Sequence, residues 1–115
     1  MGKIDRLLQL ASKVGIRKKD KRRFFLGAVG ERKDGTLVYA YNGSDKVPCP
    51  RHHCEFRLAR KLDKGSMVYL SRTLADGTLG LSKPCPSCEI ALRSAGCVKV
   101  YYSVCGASWD CLELS

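Results

Sequence analysis

Two short segments carry the residues that could do chemistry: His53-Cys54-Glu55 and Pro84-Cys85-Pro86-Ser87-Cys88. Together they supply one imidazole and two thiols, all good ligands for a borderline metal, and a carboxylate that need not touch it. A catalytic zinc ion takes three protein ligands and keeps a fourth position for water, with a base beside it to move protons. On that pattern His53, Cys85 and Cys88 are the candidate ligands and Glu55 the candidate base. The competing arrangement is a closed structural site, a zinc knuckle or ribbon, in which Cys49, His52, His53 or Cys54 joins Cys85 and Cys88. A C-x-x-C alone suits the closed site. Glu55 at its offset from His53, Pro84 ahead of Cys85, and a strand-to-helix setting turn the reading towards the open, catalytic one.

The elements that must position these residues can be traced along the chain. Apolar residues at Ile4, Leu7, Leu8, Leu10, Ala11 and Val14 have helical spacing, and Gly15 stops the run. Residues 24–29 read as a buried strand and 36–41 as its hairpin partner, joined through Lys33-Asp34-Gly35, a loop that needs a positive φ. The stretch 42–51, with Gly43, Pro48 and Pro50, is an irregular loop. Residues 52–62 have helical character, 67–70 form a third strand, and Asp76-Gly77 turns the chain before 79–81. Pro86 suits a first helical turn, 88–94 continue that helix, and Gly96 ends it. Residues 98–104 and 110–114 are the last two strands. Helices alternating with strands around one sheet make an α/β layered domain.

Both ligand segments therefore open helices. Unpaired N–H groups and the positive end of the helix dipole favour thiolate over thiol there. Glu55 follows His53 by two residues, so a regular helix turns it about 200° away from the imidazole. That keeps it off the metal while leaving it able to reach water and substrate across a pocket, taking a proton from one and returning it to the other.

The H-x-E segment followed by P-C-x-x-C resembles the signature of zinc nucleobase deaminases. The chain is similar to the cytidine deaminase-like superfamily over nearly its whole length, which covers the leading helix, the first hairpin with Asn42 after it, both ligand helices and the strand that follows. The resemblance implies a three-layer α/β/α sandwich, with a mixed five-stranded sheet and helices on both faces, as one domain over 1–115. It implies Zn²⁺ as cofactor, Glu55 as the proton shuttle, and hydrolytic loss of ammonia from a base. It also implies that Asn42 contacts the sugar, that the Cys54 N–H meets the base carbonyl, and that the Lys83 carbonyl accepts from the exocyclic amine. Family members more often carry Ala or Val at the position of Cys54, and Glu or Ser at that of Lys83. A lysine at the pocket mouth suits an anionic substrate. Only a short turn separates residues 104 and 110, which forces an antiparallel last strand. That ending resembles the cytidine deaminase branch and the bacterial toxin-type deaminases, and favours cytosine over adenine.

Charge bears on the substrate. With 21 Lys plus Arg against 11 Asp plus Glu, the net charge is +10, which favours polyanionic partners. Its densest run is 17–23, where Arg17, Lys18, Arg22 and Arg23 are placed to meet phosphates, or simply to solvate a loop. Tyr41 and Trp109 are the aromatic candidates for stacking on a base. The expected partner is a cytosine-containing nucleotide or single-stranded DNA or RNA. The alternatives are a salvage enzyme for free cytidine or deoxycytidine, and a zinc-stabilised nucleic-acid-binding module without catalysis. A homo-oligomer whose neighbours complete the pocket is also expected of small members of this family. The seven cysteines include a C-x-x-C and no export signal precedes them, so reduced thiols, a cytoplasmic setting and no membrane partner are expected. Cys97, Cys105 and Cys111 read as small buried apolar residues.

Overall fold

A computed structural model describes residues 2–15, 24–41, 58–74, 79–84, 86–105 and 108–114. The amphipathic spacing of the first segment produces helix α1 (Lys3–Gly15), which buries Leu7, Leu8 and Ala11. Strands β1 (Phe24–Glu31) and β2 (Leu37–Tyr41) form the expected hairpin. Gly35 turns the chain at φ 92°, a left-handed conformation that glycine adopts without steric cost. The Asp34 carboxylate accepts the Thr36 N–H at 2.9 Å, and that bond holds its carboxyl below the usual carboxylate range.

The remaining elements are β3 (Ser66–Leu74), β4 (Leu79–Gly80), α2 (Pro86–Ser94), β5 (Cys97–Ser103) and β6 (Trp109–Glu113). The sheet runs β2-β1-β3-β5-β6, with the two-residue β4 attached to β3. All pairs are antiparallel except β3 with β5. This is the mixed five-stranded sheet expected, with β4 added, and β6 returns antiparallel to β5 as the short turn requires. β3 runs well past the expected 67–70 because it is central, paired to β1 from Met67 to Leu74.

Alternation along the strands sorts the core into two layers. Val29 and Tyr69 meet α1 on one face. On the other face Ala28, Val68, Leu70, Val100 and Tyr102 pack with Leu92 of α2 and with Leu58, at the helical residues 58–59. Helices thus cover both faces, giving the α/β/α sandwich. Cys97 joins the second layer as expected, and burial pushes its thiol up to about 11. The other two cysteines correct their expectation. Cys105 is exposed in the β5–β6 turn, and Cys111, opposite Tyr101 on the edge strand and on the face away from the α2 layer, is only half-buried. Among the described residues no helix is long and apolar enough to cross a membrane.

Candidate active site

The crossover from β3 to the parallel β5 determines where the C-x-x-C segment lies. Pairing between the two strands ends at Leu70 and Tyr102. Beyond that point β4 takes over on β3, with Arg72 opposite Gly80. Ser82 then wedges the strands apart. Its N–H donates to the Ser103 carbonyl at 2.9 Å and its hydroxyl to the Leu70 carbonyl at 2.9 Å. The Ser103 N–H donates to Ser82 Oγ at 2.8 Å, and the Ser103 hydroxyl to the Gly80 carbonyl at 2.6 Å. Both serines are buried, so these bonds replace the strand-to-strand ladder that the split removes. A crevice outside the carboxyl ends of parallel strands is where α/β sheets bind ligands.

From that wedge the chain passes an exposed Lys83 and a buried Pro84 and enters α2 with Pro86, whose fixed φ and missing N–H suit a first turn. Cys88 and Leu92, one turn apart, are the buried residues of α2, and both have no exposed surface. Leu92 belongs to the apolar layer on this face; Cys88, in the first turn, lies at the helix end nearest in sequence to the Ser82–Ser103 wedge. Among the expected ligands, its sulfur is the donor whose burial the structure describes.

Of the expected site residues, Lys83 is exposed just before α2 and Cys88 is buried in its first turn. His53, Cys54, Glu55, Cys85 and Asn42 lie outside the described residues, as do Arg17, Lys18, Arg22 and Arg23. Tyr41 ends β2 opposite Gly27, and its side chain also lies outside the description. Among the described residues no cluster of three metal-ligating side chains occurs.

Trp109 is not brought to Cys88. It pairs with Ser103 across the last hairpin and packs edge-on against Tyr101, with ring centroids 5.6 Å apart. Tyr101 in turn stacks on Tyr69 at 5.2 Å. Tyr69 lies in the α1 layer, so Trp109 sits on the α1 face while Cys88 sits under α2. Two features were missed from the sequence. One is the Ser82–Ser103 wedge, whose only signal is a serine inside each of two otherwise apolar stretches. The other is Arg72, half-buried at the carboxyl end of β3 on the face that packs α2.

Neither a protein-family model nor a curated protein sequence matches the chain. The structure is similar to the crystal structure of cytidine deaminase from Mycobacterium tuberculosis, with a TM-score of 0.57 and 18% identity. The match covers 90% of this chain and 85% of that one. At that identity the likeness establishes the fold: it is cytidine deaminase-like.

Proposed function

We propose that the protein is a zinc-dependent hydrolytic deaminase acting on a cytosine base in a nucleotide or single-stranded polynucleotide. The observation that carries this reading is the buried Cys88 thiol in the first turn of α2, which follows the split between two parallel strands within a cytidine deaminase-like fold. The donor set fits zinc: His53, Cys85 and Cys88 would hold it, and Glu55 stays off it. When bound, the ion supplies a Lewis acid that makes water a nucleophile near neutral pH.

The chain's own residues do the rest. Glu55 would take one proton from the attacking water and deliver it to the ring nitrogen, then take the remaining proton from the newly bound oxygen and pass it to the amino group, which leaves as ammonia as the carbonyl forms. Asn42 and the Cys54 N–H orient the sugar and the base carbonyl. The Lys83 carbonyl accepts from the exocyclic amine while its cation faces an anionic substrate. The Ser82–Ser103 wedge holds the crevice open. Tyr41 is retained as a stacking candidate, and Arg17, Lys18, Arg22 and Arg23 as phosphate contacts. A cytoplasmic enzyme and a homo-oligomer completing its own pocket belong to the same reading.

Metal analysis of the purified protein and of Cys85→Ala and Cys88→Ala tests it, together with assays on cytidine, deoxycytidylate, single-stranded DNA and RNA. The expected result is one zinc per chain, lost in both variants, with uridine-type product from a phosphate-bearing substrate. Full zinc retention by both variants overturns the ligand assignment. Product from free cytidine alone points to the salvage enzyme. The net charge of +10 favours one other outcome, a nucleic-acid-binding zinc module that deaminates nothing.

A further inference from the structure

A concavity lies on the far side of the sheet from Cys88. It is a cleft of about 530 Å³ between α1 and the start of β2. Leu7, Leu10 and Leu37 give it an apolar floor, and Lys3, Arg6 and Lys13 of α1 stand along it. Glu31 also lines the cleft, but its carboxylate is paired with Lys3 at 2.8 Å and accepts the Tyr69 hydroxyl at 3.5 Å. Arg6 and Lys13 are exposed and have no ion pair among the described residues. Seven residues apart on one helix, they lie on the same side with about 10 Å of rise between them. That is too far for one phosphate to bridge and suits successive charges on a chain.

The surrounding surface continues the sign. Further cations stand at the hairpin end, towards the segment 58–62 rather than inside the cleft, where Arg32 Nε donates to the Lys61 carbonyl at 2.8 Å. Lys61 Nζ in turn donates to the carbonyl of Tyr39. Tyr39 is 42% exposed and shares the α1-side face of β2 with Leu37, two residues away. A cationic groove with apolar and aromatic surface beside it is the arrangement that holds single-stranded nucleic acid without reading its sequence.

We propose that the α1–β2 cleft is an exosite for single-stranded nucleic acid, with phosphates on Arg6 and Lys13 and bases on the Leu7, Leu10 and Leu37 floor. It goes beyond the proposed deamination and does not depend on it, because the cleft and Cys88 lie on opposite faces of the sheet. It would hold a long strand at a distance from the crevice, so polynucleotide length would raise affinity more than the identity of any base.

The test uses the full chain and fluorescence anisotropy of labelled thymidine and uridine oligonucleotides. These contain no cytosine and are longer than the roughly 16 nucleotides of a large single-strand site. Arg6→Glu/Lys13→Glu should weaken binding roughly tenfold and flatten the log–log salt dependence by about 1.4, the share of two ionic contacts on a single strand. Arg6→Lys/Lys13→Arg should bind like wild type. Both side chains are exposed, so thermal melting should not change. Unaltered affinity and slope in the charge-reversed protein overturn the proposal, as does an absence of oligonucleotide binding by wild type. Loss of binding that merely tracks dissociation of an oligomer in sedimentation also overturns it. Cytidine turnover by the same variants is read separately: if wild type deaminates nothing, the enzymatic reading fails while the binding result stands.

Discussion

Glu55 is the residue on which the proposed chemistry turns, since it must handle every proton without holding the metal. Glu55→Ala should keep its zinc and its melting temperature while losing turnover by at least about 10²-fold, the scale of general acid–base help. Turnover close to wild type on the preferred substrate would remove Glu55 from the mechanism. At the same scale, two buried groups predict alkaline instability. Cys97 is raised from 9.0 to about 11 by burial. Tyr69 is raised from 10.0 to about 12 by burial first and then by the Glu31 charge. In each case the unfolded chain gives up its proton at a lower pH than the folded one. Rising pH therefore favours unfolding, and stability that is complete below about pH 9 declines between pH 9 and 12, by something on the order of 2 kcal/mol for each group. Urea titrations across that range should show the decline. In Cys97→Ala the loss between pH 9 and 11 should shrink, even though the variant starts from lower stability.

The elements differ in how much of their placement local sequence can decide. The β1–β2 hairpin was legible because Lys33-Asp34-Gly35 dictates its turn, and α1 because its apolar residues repeat every three or four positions. The last hairpin was legible because too few residues separate its strands for anything else. The faces were harder. Trp109 looked close to the pocket in sequence, but its side of the sheet follows from pairing with Ser103, a register fixed by distant contacts. Cys105 looked apolar in its neighbourhood, and only the turn shows it to be exposed. The wedge at Ser82 was hidden because it depends on β3 and β5 being parallel neighbours. Two glycines separate local from tertiary constraint. Gly35, at φ 92°, has open space where a Cβ would go. Gly35→Ala should therefore cost only the left-handed backbone preference, about 1–2 kcal/mol. Gly96 follows α2 at φ 101°, and a Cβ there would lie 2.5 Å from Lys64 Cα and 2.8 Å from the Asp63 carbonyl oxygen. Gly96→Ala should be clearly the worse of the two, by at least about 2 kcal/mol, because rigid backbone must move. Equal melting temperatures for the two variants would contradict the packing of α2 against the 63–65 turn.

Across the whole molecule, the proposed function makes the net charge of +10 a means of selecting phosphate-bearing substrates. Neutralising Arg17, Lys18, Arg22 and Arg23 should weaken single-strand binding and flatten its salt slope by about 0.7 for each phosphate no longer neutralised. Turnover of neutral cytidine should barely move, as His53, Cys85, Cys88 and Glu55 are untouched. If the wild type prefers free cytidine and ignores salt, the run from 17 to 23 is only a solvated surface. The parallel β3–β5 pairing has a consequence of another kind. Residues 24–74 hold three strands joined by antiparallel pairing alone, and residues 97–114 can form a hairpin by themselves. The two subassemblies meet along one parallel seam, which cannot close until the intervening crossover is in place. That crossover carries Ser82 and Cys88, so the bonds of Ser82 to Ser103 and Leu70 can form only when the seam closes. A ligand gripping Cys88 and the far half of the protein together would act as a clasp across the seam and slow the opening of the molecule there first.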